Sequence, residues 1–181
     1  MDKRDPNGWI QTYGGHQFWP LDPRVEEIHL EDIAHALSML CRFNGHCMRF
    51  YSVAEHSVHI SYIVPPEHAL WGLMHDAAEA YLADIPIPIK RTMDDYARHE
   101  AHLLRLIARR FALSEKIPAE IRQADRQMLA TEKLALMRPE PAPWMPLPDP
   151  LDPAMIQALP PQEAEQLFLN RYVLLSQNQS Y

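Results

Sequence analysis

Apolar and polar residues follow two different periods along this chain, and the change comes early. In WIQTYGGHQFWPL, from Trp9 to Leu21, aromatic and β-branched residues flank Gly14-Gly15. Strand side chains alternate faces, and a glycine pair supplies the positive φ of a tight two-residue turn, so this segment predicts a β-hairpin. Beyond it apolar positions recur every three or four residues, as on helices with one buried face. HLEDIAHALSMLCRF puts Ile33, Ala36, Leu37 and Leu40 on one stripe. SVAEHSVHISYIV begins at Ser52 with Glu55 three residues on, the spacing of a capping box. PPEHALWGLMHDAAEAYL opens on proline, which costs nothing in a first turn, and is expected to run until Pro86 forbids continuation. DDYARHEAHLLRLIARRFAL sets Leu103, Leu106, Ile107 and Phe111 against a solvated face carrying Arg98, Arg105, Arg109 and Arg110. PAEIRQADRQMLATEKLALM repeats that pattern, and PQEAEQLFLNRYVLLSQ closes the chain.

Proline interrupts this helical plan once. Of 17 prolines, nine fall between Pro139 and Pro161, and a residue that lacks a donor and fixes φ excludes both helix and central strand there. We read the segment as an extended strap over the body, anchored by Trp144, Met145 and Leu147. The expected fold is all-α: one helical bundle over residues 1–181 with a small N-terminal β-hairpin. Its core covers about 31–137, the proline-rich strap 139–161 and a C-terminal helix 162–178. No internal repeat is visible.

Composition narrows the classes of function. With 181 residues, 47% hydrophobic and 23% charged, the chain has the make-up of one globular domain. A net charge of -7 argues against a broad face for duplex nucleic acid, while leaving room for a small anionic ligand held by a few cations. Cys41 and Cys47 cannot build a disulfide framework, which suggests a reducing compartment. Neither a leader-like apolar segment nor a membrane-length apolar run is present, so the expectation is a soluble, cytoplasmic protein without a membrane partner. Cys41, His46 and Cys47 lack a second ligand pair at zinc-finger spacing.

The chemistry concentrates in LMHDAAEAYLADIPIPIK, Leu73 to Lys90. Helical residues three or four apart share a face, so Glu79 joins His75 and Asp76 on one side, and Asp84 follows where the chain can turn back. His56 and Asp125 occupy core-facing positions on two further helices. Two imidazoles and two carboxylates make a mixed N/O donor set suited to a divalent transition metal rather than calcium, and a cation is the economical way to keep such carboxylates charged.

The ordered set His56, His75-Asp76 and Asp125 resembles the HD-domain metal-dependent phosphohydrolases. HDAAEAYLADIPIPIK is more specific and is similar to small nucleotide hydrolases of that group, the YfbR-like 5′-deoxynucleotidases and the DatZ-like dATP triphosphohydrolases. The resemblance runs from about Glu31 to Met137. It implies that His56, His75, Asp76 and Asp125 hold the metal, that Glu79 activates the attacking water, and that Asp84 assists at the leaving oxygen or a second ion such as Mg. It also implies that Lys90 meets phosphate oxygens. Arg42-Phe43, 14 residues before His56, stands where YfbR-like members carry an Arg-Trp pair that contacts the nucleotide; the phenylalanine leaves base and sugar preference open. His56 and His75 are also closer than in YfbR-like members, which implies a shorter helix connection. His46 and His35 are further candidate substrate contacts, with a smaller claim for Glu100, while His59 and His68 are read as structural.

The expected function is hydrolysis of a (deoxy)nucleotide phosphate by metal-activated water. The substrate is a deoxynucleoside triphosphate, losing tripolyphosphate, or a deoxynucleoside monophosphate, losing its 5′-phosphate. The metal is Zn, Co, Mn, Ni or Fe. The alternative is a non-catalytic module of the same type that binds nucleotide or metal and regulates a partner. Apolar residues to spare, as in LFLNRYVLL, suggest a homo-oligomer.

Overall fold

The structure, a computed structural model, describes residues 4–177; position 178 of the expected last helix lies outside them. Two short antiparallel strands, β1 (Ile10–Gln11) and β2 (Gln17–Phe18), precede the helices α1 (Leu30–Met39), α2 (Val53–Ile63), α3 (Ala69–Met74), α4 (Glu79–Leu82), α5 (Ile87–Lys90), α6 (Asp94–Arg110), α7 (Ala119–Leu136) and α8 (Pro161–Gln177). The all-α architecture with an N-terminal hairpin is therefore observed. Among the described residues, no helix is long and apolar enough to cross a membrane.

The hairpin turn differs from the tight one expected. Ile10 pairs with Phe18 and Gln11 with Gln17, and the Thr12 N–H donates to His16 O at 3.0 Å. The loop is thus Tyr13-Gly14-Gly15, with Gly15 at φ 80 in the left-handed position that three-residue hairpins reserve for glycine. Asp32 explains the longer turn: its buried carboxylate accepts from Gly14 N at 2.6 Å, which ties the hairpin to α1.

α2 is the central element. It packs against α1, α3, α7 and α8, and its apolar residues enter two adjoining clusters, Val53, Ala54 and Val58 in one and Ile60 in the other. Gly72 lets α3 approach it, since a Cβ there would meet Ser61 Cα at 2.9 Å. A helix enclosed on nearly every side must satisfy its polar side chains internally, because unpaired buried polar groups are costly. Ser61 does so by accepting from Arg171 Nε of α8 at 2.9 Å. The α6 stripe of Leu103, Leu106, Ile107 and Phe111 is buried as its spacing predicts. On α1 the inward face is Ile33, Ala34 and Leu37, with Ala36 and Leu40 only half-buried.

Ser52 caps α2, accepting from Glu55 N at 3.1 Å, but Glu55 does not complete the box. Its buried carboxylate reaches instead to the proline-rich segment, accepting from Gln157 N (2.9 Å), Ala158 N (3.0 Å) and Leu159 N (2.8 Å). Further up, Arg126 Nη2 donates to Pro146 O at 2.6 Å, and Leu151 N donates to the buried Thr131 hydroxyl at 2.9 Å. Trp144 and Leu147 are half-buried, whereas Met145 is exposed, so the attachment is chiefly polar. Proline spends the segment's own donors, and α2 and α7 supply partners for those that remain.

Burial works to raise the Glu55 pKa, but His59 and the N–H groups of Leu159, Ala158 and Gln157 outweigh it and hold it below the ordinary value. The unfolded carboxyl therefore binds protons more readily than the folded one. The contribution of Glu55 is present above the unfolded pKa of about 4.3 and is lost as pH falls through the lower folded value. We expect Glu55→Gln to cost roughly 2–4 kcal/mol at neutral pH, because an amide replaces charged acceptors and sets an N–H against an N–H. Urea unfolding at pH 7 and pH 3 tests this: the gap between wild type and variant should be large at pH 7 and shrink at pH 3. A gap independent of pH would refute the assignment.

Candidate metal centre

The segment after α3 is not the continuous helix expected up to Pro86. Residues 75–78 form tight turns, with Ala77 N donating to Met74 O (3.0 Å) and Glu79 N to Asp76 O (2.9 Å). Neighbours on such turns splay by about 100–120°, yet Asp76 Oδ2 still reaches within 3.2 Å of His75 Nε2. α4 then ends at Leu82, before the proline. Ala83, at φ 69 and ψ 158, adopts a conformation nearly confined to glycine. Its carbonyl accepts from Tyr96 Oη at 2.7 Å, and Asp84, the next residue, lies near enough to feel the charges of Arg42, Asp76 and His56. Pro86 does not merely stop a helix, since the Pro-Ile-Pro-Ile-Lys run coils into α5, with Lys90 in its last turn.

Donors from three helical regions meet here. His56 Nε2, on α2, stands 3.3 Å from His75 Nε2, 3.3 Å from Asp125 Oδ1 of α7 and 3.6 Å from Asp76 Oδ2. His75 Nε2 lies 3.2 Å from Asp76 Oδ2. The other nitrogen of each ring is engaged: His75 Nδ1 donates to Gly72 O at 2.8 Å, and His56 Nδ1 donates to Glu132 Oε1 at 2.6 Å. Those bonds leave both Nε2 lone pairs facing one another, which is unfavourable unless a proton or a cation lies between them. Donors at about 2.05 Å from a tetrahedral ion stand about 3.3–3.4 Å apart, close to the separations observed. His56, His75 and Asp125 can hold a metal ion, with donor atoms all within 4.8 Å of one another, and Asp76 borders the same space.

The charges point the same way. Burial and Arg42 oppose protonation of His56, yet Glu132 and Asp125 outweigh them and push it up to about 9. Burial acts to raise Asp76, but His75, His56 and Arg42 bring it well below the usual carboxylate range. Asp125 is lowered too, His56 overcoming burial. Glu79 behaves oppositely: burial first, then Asp76 and Asp84, push it up to about 10. Its Oε2 is buried without a hydrogen-bond partner. Asp84 is likewise raised, mainly by burial.

Sequence pattern alone does not single out Glu132, the best-enclosed acid of the site, which is fully buried. Besides orienting His56, it accepts from Arg42 Nε at 3.0 Å and pairs with Nη2 at 2.9 Å. Its signal was the seven-residue step from Asp125, two turns along one face of α7. Arg42 reaches the site because its N–H donates to Tyr51 O at 2.9 Å, next to the start of α2. Arg42 Nη1 is 3.8 Å from Asp76 Oδ2.

The remaining candidates are less centrally placed. Phe43 is half-buried with its ring 5.6 Å from the Arg42 guanidinium. His46 is exposed, its N–H donating to Phe43 O. Lys90 is held by Glu100 at 2.5 Å. His35 belongs to another neighbourhood, bonded to Glu165 Oε2 at 2.9 Å and stacked on Tyr13.

No protein-family model matches the chain. It is similar to the uncharacterized protein YfdR of Escherichia coli (strain K12), 38% identical over 171 residues that cover 93% of this chain and 96% of that protein. It is also 32% identical over 126 residues to the uncharacterized protein RCAP_rcc00048 of Rhodobacter capsulatus, covering 64% of each. A helical body of this size, matched to YfdR over nearly its whole length, places the chain plainly: it belongs to the same family as Escherichia coli YfdR.

Proposed function

We propose that this protein is a divalent-metal-dependent phosphohydrolase of the HD-domain type, acting on deoxynucleotides in the cytoplasm. The observation that carries the reading is the convergence of His56, His75, Asp76 and Asp125 beside the unpartnered carboxyl oxygen of Glu79. Those four residues would hold the ion, of the Zn, Co, Mn, Ni or Fe class, and it would supply Lewis acidity that activates water and offsets phosphoryl charge.

The rest of the chemistry falls to the chain. Glu79 takes the proton of the attacking water: it is enclosed and its free oxygen has no competing partner, and a cation bound beside it would lower its proton affinity from the metal-free value toward the range of a base. Asp84, just beyond Ala83, faces the leaving oxygen and shares the handling of that proton. Lys90 and Arg42 provide fixed positive charge for phosphoryl oxygens, Lys90 exchanging its bond to Glu100 for one to phosphate and Arg42 offering Nη1. Burial around Glu79 and His56 limits stray water.

Product analysis of the metal-reconstituted protein is the test. Tripolyphosphate from dATP marks a triphosphohydrolase, and orthophosphate from dAMP marks a 5′-nucleotidase. We expect His75→Ala to lose bound metal and turnover together, as read by elemental analysis and phosphate release. Equal metal content in wild type and His75→Ala, or no release from any nucleotide with any of these metals, would overturn the reading.

A further inference from the structure

A pair of thiols flanks the turn that carries Arg42, outside the donor set described above. Cys41 Sγ and Cys47 Sγ are 3.5 Å apart, both half-buried and both reduced. The chain between them is unusual. Phe43 (φ 56), Asn44 (φ 50) and Gly45 (φ 77) follow one another in the left-handed region, which residues bearing a Cβ adopt only at a cost. Both ends of this turn are pinned: Cys41 bridges to Ser52, Arg42 N donates to Tyr51 O, and Met48 N donates to Leu136 O at 2.8 Å. The middle is exposed at Asn44, Gly45 and His46. The two sulfurs stand across the base of this turn, where a covalent tie would close it.

We propose that Cys41 and Cys47 form a reversible thiol–disulfide site that fixes the Arg42 turn, with a small organic disulfide such as oxidised glutathione as the oxidant. One thiolate attacks a sulfur of the oxidant and expels a thiolate, giving a mixed disulfide. The second cysteine then attacks the protein sulfur of that mixed disulfide and expels the other thiolate. Two protein thiols and one small disulfide thereby become one protein disulfide and two small thiols. The sulfurs need close by only about 1.5 Å to reach bonding distance, so the bond stabilises the turn conformation already present rather than a new one. Arg42 lies inside the closed ring with its guanidinium on Glu132, so the tie holds the residue that orients the His56 partner. Reduction removes the tie and leaves the turn held by its backbone bonds at Arg42 and Met48. Burial and Cys41 raise the Cys47 thiol, so exchange quickens at mildly alkaline pH.

The test uses the full chain in glutathione buffers of graded oxidation, with free thiols counted by alkylation and intact mass. In the oxidised wild type both thiols should disappear within a monomer. The unfolding temperature should rise by several degrees, exchange of amides 42–48 should slow, and dithiothreitol should reverse all three. Cys41→Ser and Cys47→Ser should show none of these shifts and should carry a glutathione adduct on the remaining thiol. Persistence of both thiols under oxidising buffer, a bond formed only between chains, or an oxidised form that melts below the reduced one would each overturn the proposal. None of these readouts depends on turnover.

Discussion

Glu79→Gln retains its metal and loses its chemistry: we expect phosphate release to fall by about 10²–10⁴-fold, the usual worth of a positioned acid–base group. The substitution suits the question because Glu79, pushed up to about 10 by burial and by Asp76 and Asp84, holds its proton at neutral pH when no cation is bound. Glutamine has the shape of that neutral acid, so the fold should accept it. The folded form binds a proton that the unfolded chain releases above about pH 4.3, so stability drawn from this residue declines as pH rises toward 10. The metal-free variant should therefore melt higher than metal-free wild type at pH 8, with the difference vanishing near pH 4. Unchanged turnover in a metal-loaded Glu79→Gln protein would remove Glu79 from the chemistry, and loss of metal would recast it as a ligand.

The second large effect is expected at Glu132, which touches neither substrate nor the metal space. Glu132→Ala leaves the Arg42 guanidinium buried without its partner and His56 Nδ1 without an acceptor. Breaking a buried pair from one side typically costs about 3–5 kcal/mol. The orienting bond on a ligating histidine is worth about 10–100-fold in metal affinity. Burial alone would raise Glu132, but Arg42 and then His56 keep it below the ordinary carboxylate value, so the pair is charged at neutral pH. Glu132→Gln separates shape from charge. It should fold better than the alanine variant yet still bind metal more weakly, as measured by competition with a chromogenic chelator. Affinity equal to wild type in both variants would mean that His56 needs no such support.

How much of this was legible beforehand is best seen residue by residue. The buried stripe of α6 follows directly from its spacing, because helical period and burial are linked by geometry. His56, His75, Asp76 and Asp125 stood out as polar groups on faces that should be apolar, and the structure brings their donor atoms together. Glu132 escaped notice because a glutamate in a helix is ordinarily solvated, and only the inward-facing step from Asp125 distinguishes it. Glu55 was misread for a related reason. Its spacing from Ser52 fits a cap, but a segment more than a hundred residues later offers three N–H groups and outcompetes one local donor.

The chain's own pattern determined the local matters: a hairpin followed by amphipathic helices, a proline run that is no inner strand and is helical only in the short 3₁₀ turn Pro153–Met155 and where α8 starts at Pro161, and a few polar residues, His56 and Asp125 among them, on faces that should be apolar. Those follow from backbone sterics and from the period of apolar positions. Tertiary structure alone decided the rest. His56 and Asp125 meet across α2 and α7, Ala83 gives its carbonyl to Tyr96, and Arg42 is spent on Glu132 rather than left wholly free. Each depends on partners distant in sequence, whose competition for a buried charge or an unpaired N–H is settled only when the helices pack.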